Sequence, residues 1–211
     1  MALAVAIGSI AVGEGGPESR DVGGVNEVQE LFGGIAQEDA FLGSADAETT
    51  VTVFNDLQCT PCRDFELEVV DPLVERYART DAARLEFRHF SLAPNDTTLA
   101  AIAAEAAGEQ DRQWQYIDTF FRNQELAEAD VDEDVLREVA EAISLLDVDR
   151  WESDFESSEP EERVREDAML AAELELPAEP AIVVSGPGVQ RVLIETPSLE
   201  EVEAAIAEVD R

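Results

Sequence analysis

Residues 51–62 read Val51-Thr52-Val53-Phe54-Asn55-Asp56-Leu57-Gln58-Cys59-Thr60-Pro61-Cys62. The β-branched and aromatic run favours extended chain, and Asn55-Asp56 ends it. Pro61 suits the first turn of a helix, where its missing N–H would have had no partner. The two cysteines therefore fall where a strand turns into a helix. Val70, Leu73, Val74 and Tyr77 recur at helical spacing as a buried stripe, which Pro72 is expected to kink. A thiol at a helix N-terminus meets the positive end of the dipole and free N–H groups, and both favour the thiolate, the attacking form. Cys59, at the cap and toward solvent, is the expected nucleophile. Cys62, one turn inward, is the expected resolving thiol.

These are the only cysteines, and two intervening residues are too few for a disulfide that clamps a long loop. With His89 the only histidine, a complete Cys/His zinc site within the chain is excluded. A zinc site completed by carboxylates or by a second chain stays open. The spacing points to redox use, with the disulfide itself as the reactive group and no metal or further cofactor.

Outward from the pair, Leu85 to Leu92 alternates apolar and polar residues as a half-buried strand does, and His89 reads as a strand residue rather than a catalytic base. From Asn95 to Leu174 no strand pattern appears. Helical stripes run through Leu99/Ile102/Ala106, Trp114/Ile117/Phe121, Val139/Ile143/Leu146 and Val164/Ala168/Ala171, with Trp114 and Trp151 as packing residues. Strands return at Pro180-Ala181-Ile182-Val183-Val184 and at Val189 to Ile194 around a Ser-Gly-Pro-Gly turn. Ser198 and Glu201 then fit a capping box for a helix whose inner face is Leu199, Val202, Ile206 and Val209. The order is β-α-β, a helical block, then β-β-α.

The chain has 211 residues, 45% of them hydrophobic, enough for one ordinary domain with an embedded subdomain. Its 49 acidic residues against 14 basic ones, all arginine, give a net charge of −35. Phosphate backbones would be repelled, so nucleic acid is excluded as a partner. Met1 to Gly13 is apolar but too short to span a bilayer and lacks a basic flank, so it reads as the truncated end of a signal or anchor, an odd signal peptide, or a floppy start. Glu14 to Asn26 reads as a tether. The expected organisation is residues 1–36 as this leader and tether and 37–211 as the folded domain, with the helical insertion at about 95–175.

At five separated places the sequence resembles the DsbA-like thioredoxin family. They are Gly43 to Ala47, Phe54 to Cys62, Arg88 to Leu92, Ala104 to Gln110 with Trp114 and Asn123-Gln124, and Glu179 to Val184. The resemblance spans roughly Gly34 to Val209. It implies an α/β thioredoxin-like fold with an inserted all-helical subdomain, and Pro180 matches the family's cis-proline facing the cysteine pair. It also implies client proteins with free thiols, a membrane oxidase that recharges the pair, and an extracytoplasmic, periplasmic or cell-envelope setting.

Three positions depart from the family. Val53 stands where the family often has a buried acid as proton carrier, six residues before the first cysteine, so proton transfer must find another route. Thr60-Pro61 lacks the histidine of the strongest oxidants, so thiolate stabilisation should be weaker. Glu179 replaces the usual threonine or valine before the proline, where a carboxylate would raise the Cys59 pKa if ionised nearby; it either replaces the missing proton carrier or points to solvent. Thr60, Pro61 and Glu179 are thus the expected tuning residues beside Cys59, Cys62 and Pro180. Three functional readings remain: a disulfide-introducing oxidase, a reductase or isomerase using the same pair, and a binding module whose disulfide is merely structural.

Overall fold

The structure, a computed structural model, describes residues 20–92, 98–127, 131–193 and 196–210. Met1 to Gly13, read as a leader, lies outside the described residues. The chain runs α1 (Val25–Phe32), β1 (Gln37–Glu38), β2 (Phe41–Leu42), β3 (Thr50–Asn55), α2 (Thr60–Phe65), α3 (Asp71–Leu73) and β4 (Arg84–His89). Among the described residues five α-helices follow, α4 (Thr98–Gly108), α5 (Gln113–Arg122), α6 (Glu133–Ala142), α7 (Val148–Phe155) and α8 (Glu159–Glu173). The chain then returns through β5 (Ala181–Gly186), β6 (Val189–Leu193) and α9 (Leu199–Val209).

The strands form one sheet in the order β1-β2-β4-β3-β5-β6. β3 pairs in parallel with β4 and antiparallel with β5, so the strand leading to the cysteines is central. Successive side chains point to opposite faces. Val51 and Val53 join Leu85, Phe87, Ile182 and Val184 in the main core with Phe65, Val70, Val202 and Ile206, whereas Phe54 and Val183 pack on the other side with Ala171 of α8. The insertion is tied to the sheet by charge as well as by packing. Asp167 on α8 accepts the His89 backbone N–H at 2.9 Å and pairs with Arg88 at 2.8 Å. Glu105 on α4 meets both His89 and Arg163 of α8.

Several expectations need correction. The tether does not extend to residue 36. Val28, Leu31 and Phe32 stand at i, i+3 and i+4 and bury one face of α1. The β1–β2 hairpin was not expected from the sequence either. Of the expected α4 stripe Ala106 is buried, Ile102 is half-buried and Leu99 is exposed; Ala100, Ala103, Ala104 and Ala107 are buried as well, because the close neighbours α5, α7 and α8 admit small side chains. On α8 the inward position is Asp167, not Ala168, because it satisfies Arg88 and the end of β4. Strand β4 ends at His89, short of Leu92, with Phe90 N–H still reaching Asn55 O at 3.0 Å.

Around Pro72 the helix widens into π turns, Glu66–Val70 before α3 and Val74–Ala78 after it. Pro72 has no N–H to give, and its ring would clash with the carbonyl four residues back. Bonding over five residues, as from Asp71 N to Glu66 O, accommodates it. Trp114 and Trp151 are both buried, donating from the indole N–H to Ala40 O and Ala103 O, as packing residues do.

Candidate active site

The turn between β3 and α2 is built by backbone and cap hydrogen bonds. Asp56 uses Oδ1 to accept Gln58 N–H at 2.9 Å, while its carbonyl accepts Cys59 N–H at 3.2 Å. Cys59 is the N-cap of α2 in extended conformation, and its Sγ accepts the Cys62 N–H at 3.1 Å. That contact is a helix-terminal N–H aimed at sulfur, the geometry that stabilises a thiolate. Thr60 and Pro61 form the exposed first turn, and Cys62 is fully buried beneath it. Cys59 and Cys62 are disulfide-bonded with Cα atoms 5.1 Å apart, and Cys59 is half-buried. One sulfur can be reached from solvent and the other cannot.

The Glu179–Pro180 peptide bond is cis, and Pro180 is buried. β5 pairs Ala181 with Phe54, so continuing the register by one residue brings Pro180 alongside Asn55, at the end of the strand that delivers Cys59. Glu179 is half-buried and accepts the Leu92 N–H at 2.6 Å. Burial raises its pKa, the Leu92 N–H opposes this, and nearby Asp56 raises it further. Burial raises Asp56 as well, against hydrogen bonds from Gln58 and Ser91 and the proximity of His89. Two carboxyl groups thus border the cysteine turn.

Three side chains that the sequence reading did not single out for a role support the pair from below. Gln124, after α5, donates from Nε2 to Leu57 O at 2.7 Å and to Cys59 O at 3.2 Å, so the helical insertion holds the turn directly. Asn55 donates from Nδ2 to Glu66 Oε2 at 3.0 Å and reaches Cys62 O at 3.4 Å. Glu66 is fully buried one turn beyond Cys62. Burial pushes its pKa well above the carboxylate range, Asp71 and Asp118 push it further, and Asn55 and Arg122 oppose them. The four-residue spacing from Cys62 was a legible signal for Glu66. Gln124 lay in one of the stretches that carry the family resemblance, but nothing local gave its role, because its partners lie more than sixty residues away.

The geometry can be set beside known proteins. A family model described as thioredoxin matches residues 36–208. Proteins named probable disulfide bond formation protein D, from Bacillus anthracis and Bacillus cereus, are 31% and 30% identical over 161 residues, covering 74% of this chain and 73% and 74% of theirs. Oxidised BdbD from Bacillus subtilis superposes with a TM-score of 0.66 at 19% identity, over 82% of this chain and 96% of that one. For Chlamydia trachomatis DsbA the TM-score is 0.69 at 20% identity, over 83% and 93%. At these identities the two structures bear on the fold, and the curated relatives bear on the family.

Proposed function

Because this chain belongs to the DsbA-like thioredoxin family, we propose that it is a thiol–disulfide oxidoreductase that introduces disulfides into extracytoplasmic client proteins. The observation that carries this reading is the Cys59–Cys62 disulfide at the N-terminus of α2, with Cys59 half-buried and Cys62 wholly enclosed. A client thiolate attacks Cys59, and the Cys59–Cys62 bond breaks with its electron pair leaving on Cys62. A second client thiolate then attacks the client sulfur of the mixed disulfide and expels Cys59 as a thiolate. The Cys62 N–H at Cys59 Sγ stabilises that leaving group.

Pro180 lies beside this turn and offers the backbone next to it for pairing with an extended client segment. Thr60 and Pro61 form the exposed rim that the client meets. A membrane oxidase recharges the reduced pair, and an oxidising compartment outside the cytoplasm preserves the product disulfides. The couple's reduction potential tests the direction. Equilibration against glutathione buffers should place it between about −120 mV, the DsbA value, and about −270 mV, the thioredoxin value. A potential at or below the thioredoxin value would instead make the protein a reductase.

A further inference from the structure

Resting on the disulfide chemistry above, we propose that Glu66 carries the proton that Cys62 takes up when the disulfide opens and returns when it closes. Cys62 leaves as a thiolate in a place where water cannot solvate it, and a buried unpaired charge is costly. A proton must therefore reach it within the fold. Val53 offers none at the position where the family often keeps a buried acid. Glu66 stands four residues beyond Cys62 on the same helical face, and Asn55 bridges the Glu66 carboxyl to the Cys62 carbonyl. Its other oxygen, Oε1, is buried with no hydrogen-bond partner among the described residues.

The groups around Glu66 set how it holds a proton. Asp71 faces it from α3, Asp118 and Arg122 from α5, and neutral Asn55 from β3. Arg122 pairs with Asp71 at 2.6 Å and with Asp118 at 2.9 Å. One guanidinium cannot balance three carboxylates, two of them buried and Asp71 half-buried, so the cluster retains protons. Arg122 also offsets the charge left when Glu66 gives its proton up.

The step balances without an added reactant. Client thiolate and Cys59 form a bond, the disulfide electron pair goes to Cys62, and the Glu66 proton moves to that sulfur, leaving a carboxylate that solvent later reprotonates. In the reverse direction Glu66 carboxylate takes the Cys62 proton as Cys62 attacks the mixed disulfide.

The test is stopped-flow oxidation of a reduced dithiol peptide by stoichiometric oxidised protein across a pH series. Glu66→Gln should slow transfer at least about tenfold, a modest share of what positioned proton transfer contributes, and should abolish the limb on which the rate falls as pH rises. Glu66→Asp should keep that limb with a smaller loss, and Cys59 alkylation in the reduced protein should keep its wild-type rate in both variants. Should Glu66→Gln not fold, Asp118→Asn reads the same proton, because removing a neighbouring negative charge should move the limb to lower pH. A wild-type rate and pH profile in Glu66→Gln, or an unmoved limb in Asp118→Asn, would overturn the proposal. Wild-type protein that transfers no disulfide would overturn the functional reading instead.

Discussion

At the scale of single residues, the Cys59 sulfur accepts the Cys62 N–H, and the carboxyl groups of Asp56 and Glu179, which act on each other, border the turn that carries it. No imidazole lies within the motif. Reduced Cys59 should therefore titrate near the thioredoxin value of about 7, well above the roughly 3.5 of the strongest oxidants. Thiolate ultraviolet absorbance against pH measures this, and a value below about 5 would contradict the electrostatic reasoning. Glu179→Gln should move the Cys59 value downward if the carboxylate is charged and close to the sulfur, and an unchanged value would assign Glu179 to the solvated surface. Alkylation of the reduced protein should be much faster at Cys59 than at Cys62, because only Cys59 is open to solvent. The cysteine roles were legible because cap, proline and thiols are contiguous in sequence. The partners of Glu179 were not, since its contacts to Leu92 and Asp56 depend on how three distant segments converge.

At the scale of elements, the turn that carries Cys59 is held from the helical insertion by Gln124. Gln124→Ala leaves the buried Leu57 carbonyl without this donor, at a cost of about 1–3 kcal/mol read by chemical denaturation. An unchanged unfolding midpoint would show that the insertion does not support the turn. The capping box of α9 is a second local device, with Ser198 N–H reaching Glu201 Oε2 at 2.8 Å and Glu201 N–H reaching Ser198 Oγ. Ser198→Ala should cost about 1 kcal/mol by the same measurement. This box was readable because its signal spans only four residues. Helix α1 also carried a readable i, i+3, i+4 pattern, but its Gly-rich flanks resemble a linker. The π turns around Pro72 were legible only as a disturbance, since a proline says that a ladder bond is missing and not how the helix widens. The inward choice of Asp167 over Ala168 was hidden because its reason is an arginine on another element.

At the scale of the whole molecule, the fold buries acids whose protonation couples stability to pH. Burial, with Asp118 adding and Arg122 opposing, lifts Asp71 from 3.8 to about 8. The native state therefore holds a proton across that window which the unfolded chain releases. This contribution is complete below about pH 4 and is lost as pH rises toward 8. Glu66 and Asp118 are raised too and act with the same sign. Glu105 acts oppositely. Burial raises it, but His89 and Arg163 outweigh burial and hold it below its ordinary value, so its share is lost as pH falls through that lowered value. Thermal midpoints should fall between pH 5 and 8 less steeply in Asp71→Asn than in wild type, and equal slopes would contradict the assignment to Asp71. From β3 onward the order of strands and helices could be read along the chain, whereas this buried cluster could not, because its members come from segments that only the fold assembles.

In the proposed reaction Cys59–Cys62 transfers its disulfide to a client. The measurement is anaerobic mixing of oxidised protein with an equimolar reduced dithiol peptide, followed by mass-resolved alkylation of both. The expected result is one disulfide gained per peptide and two thiols gained per protein, at Cys59 and Cys62. Cys59→Ser should be inert, and Cys62→Ser, first charged as a mixed disulfide at Cys59, should pass to the peptide-linked form and stop there with a monothiol peptide, which lacks the second thiolate that expels Cys59. Wild-type protein that keeps its disulfide, or transfer that survives Cys59→Ser, would contradict the claim.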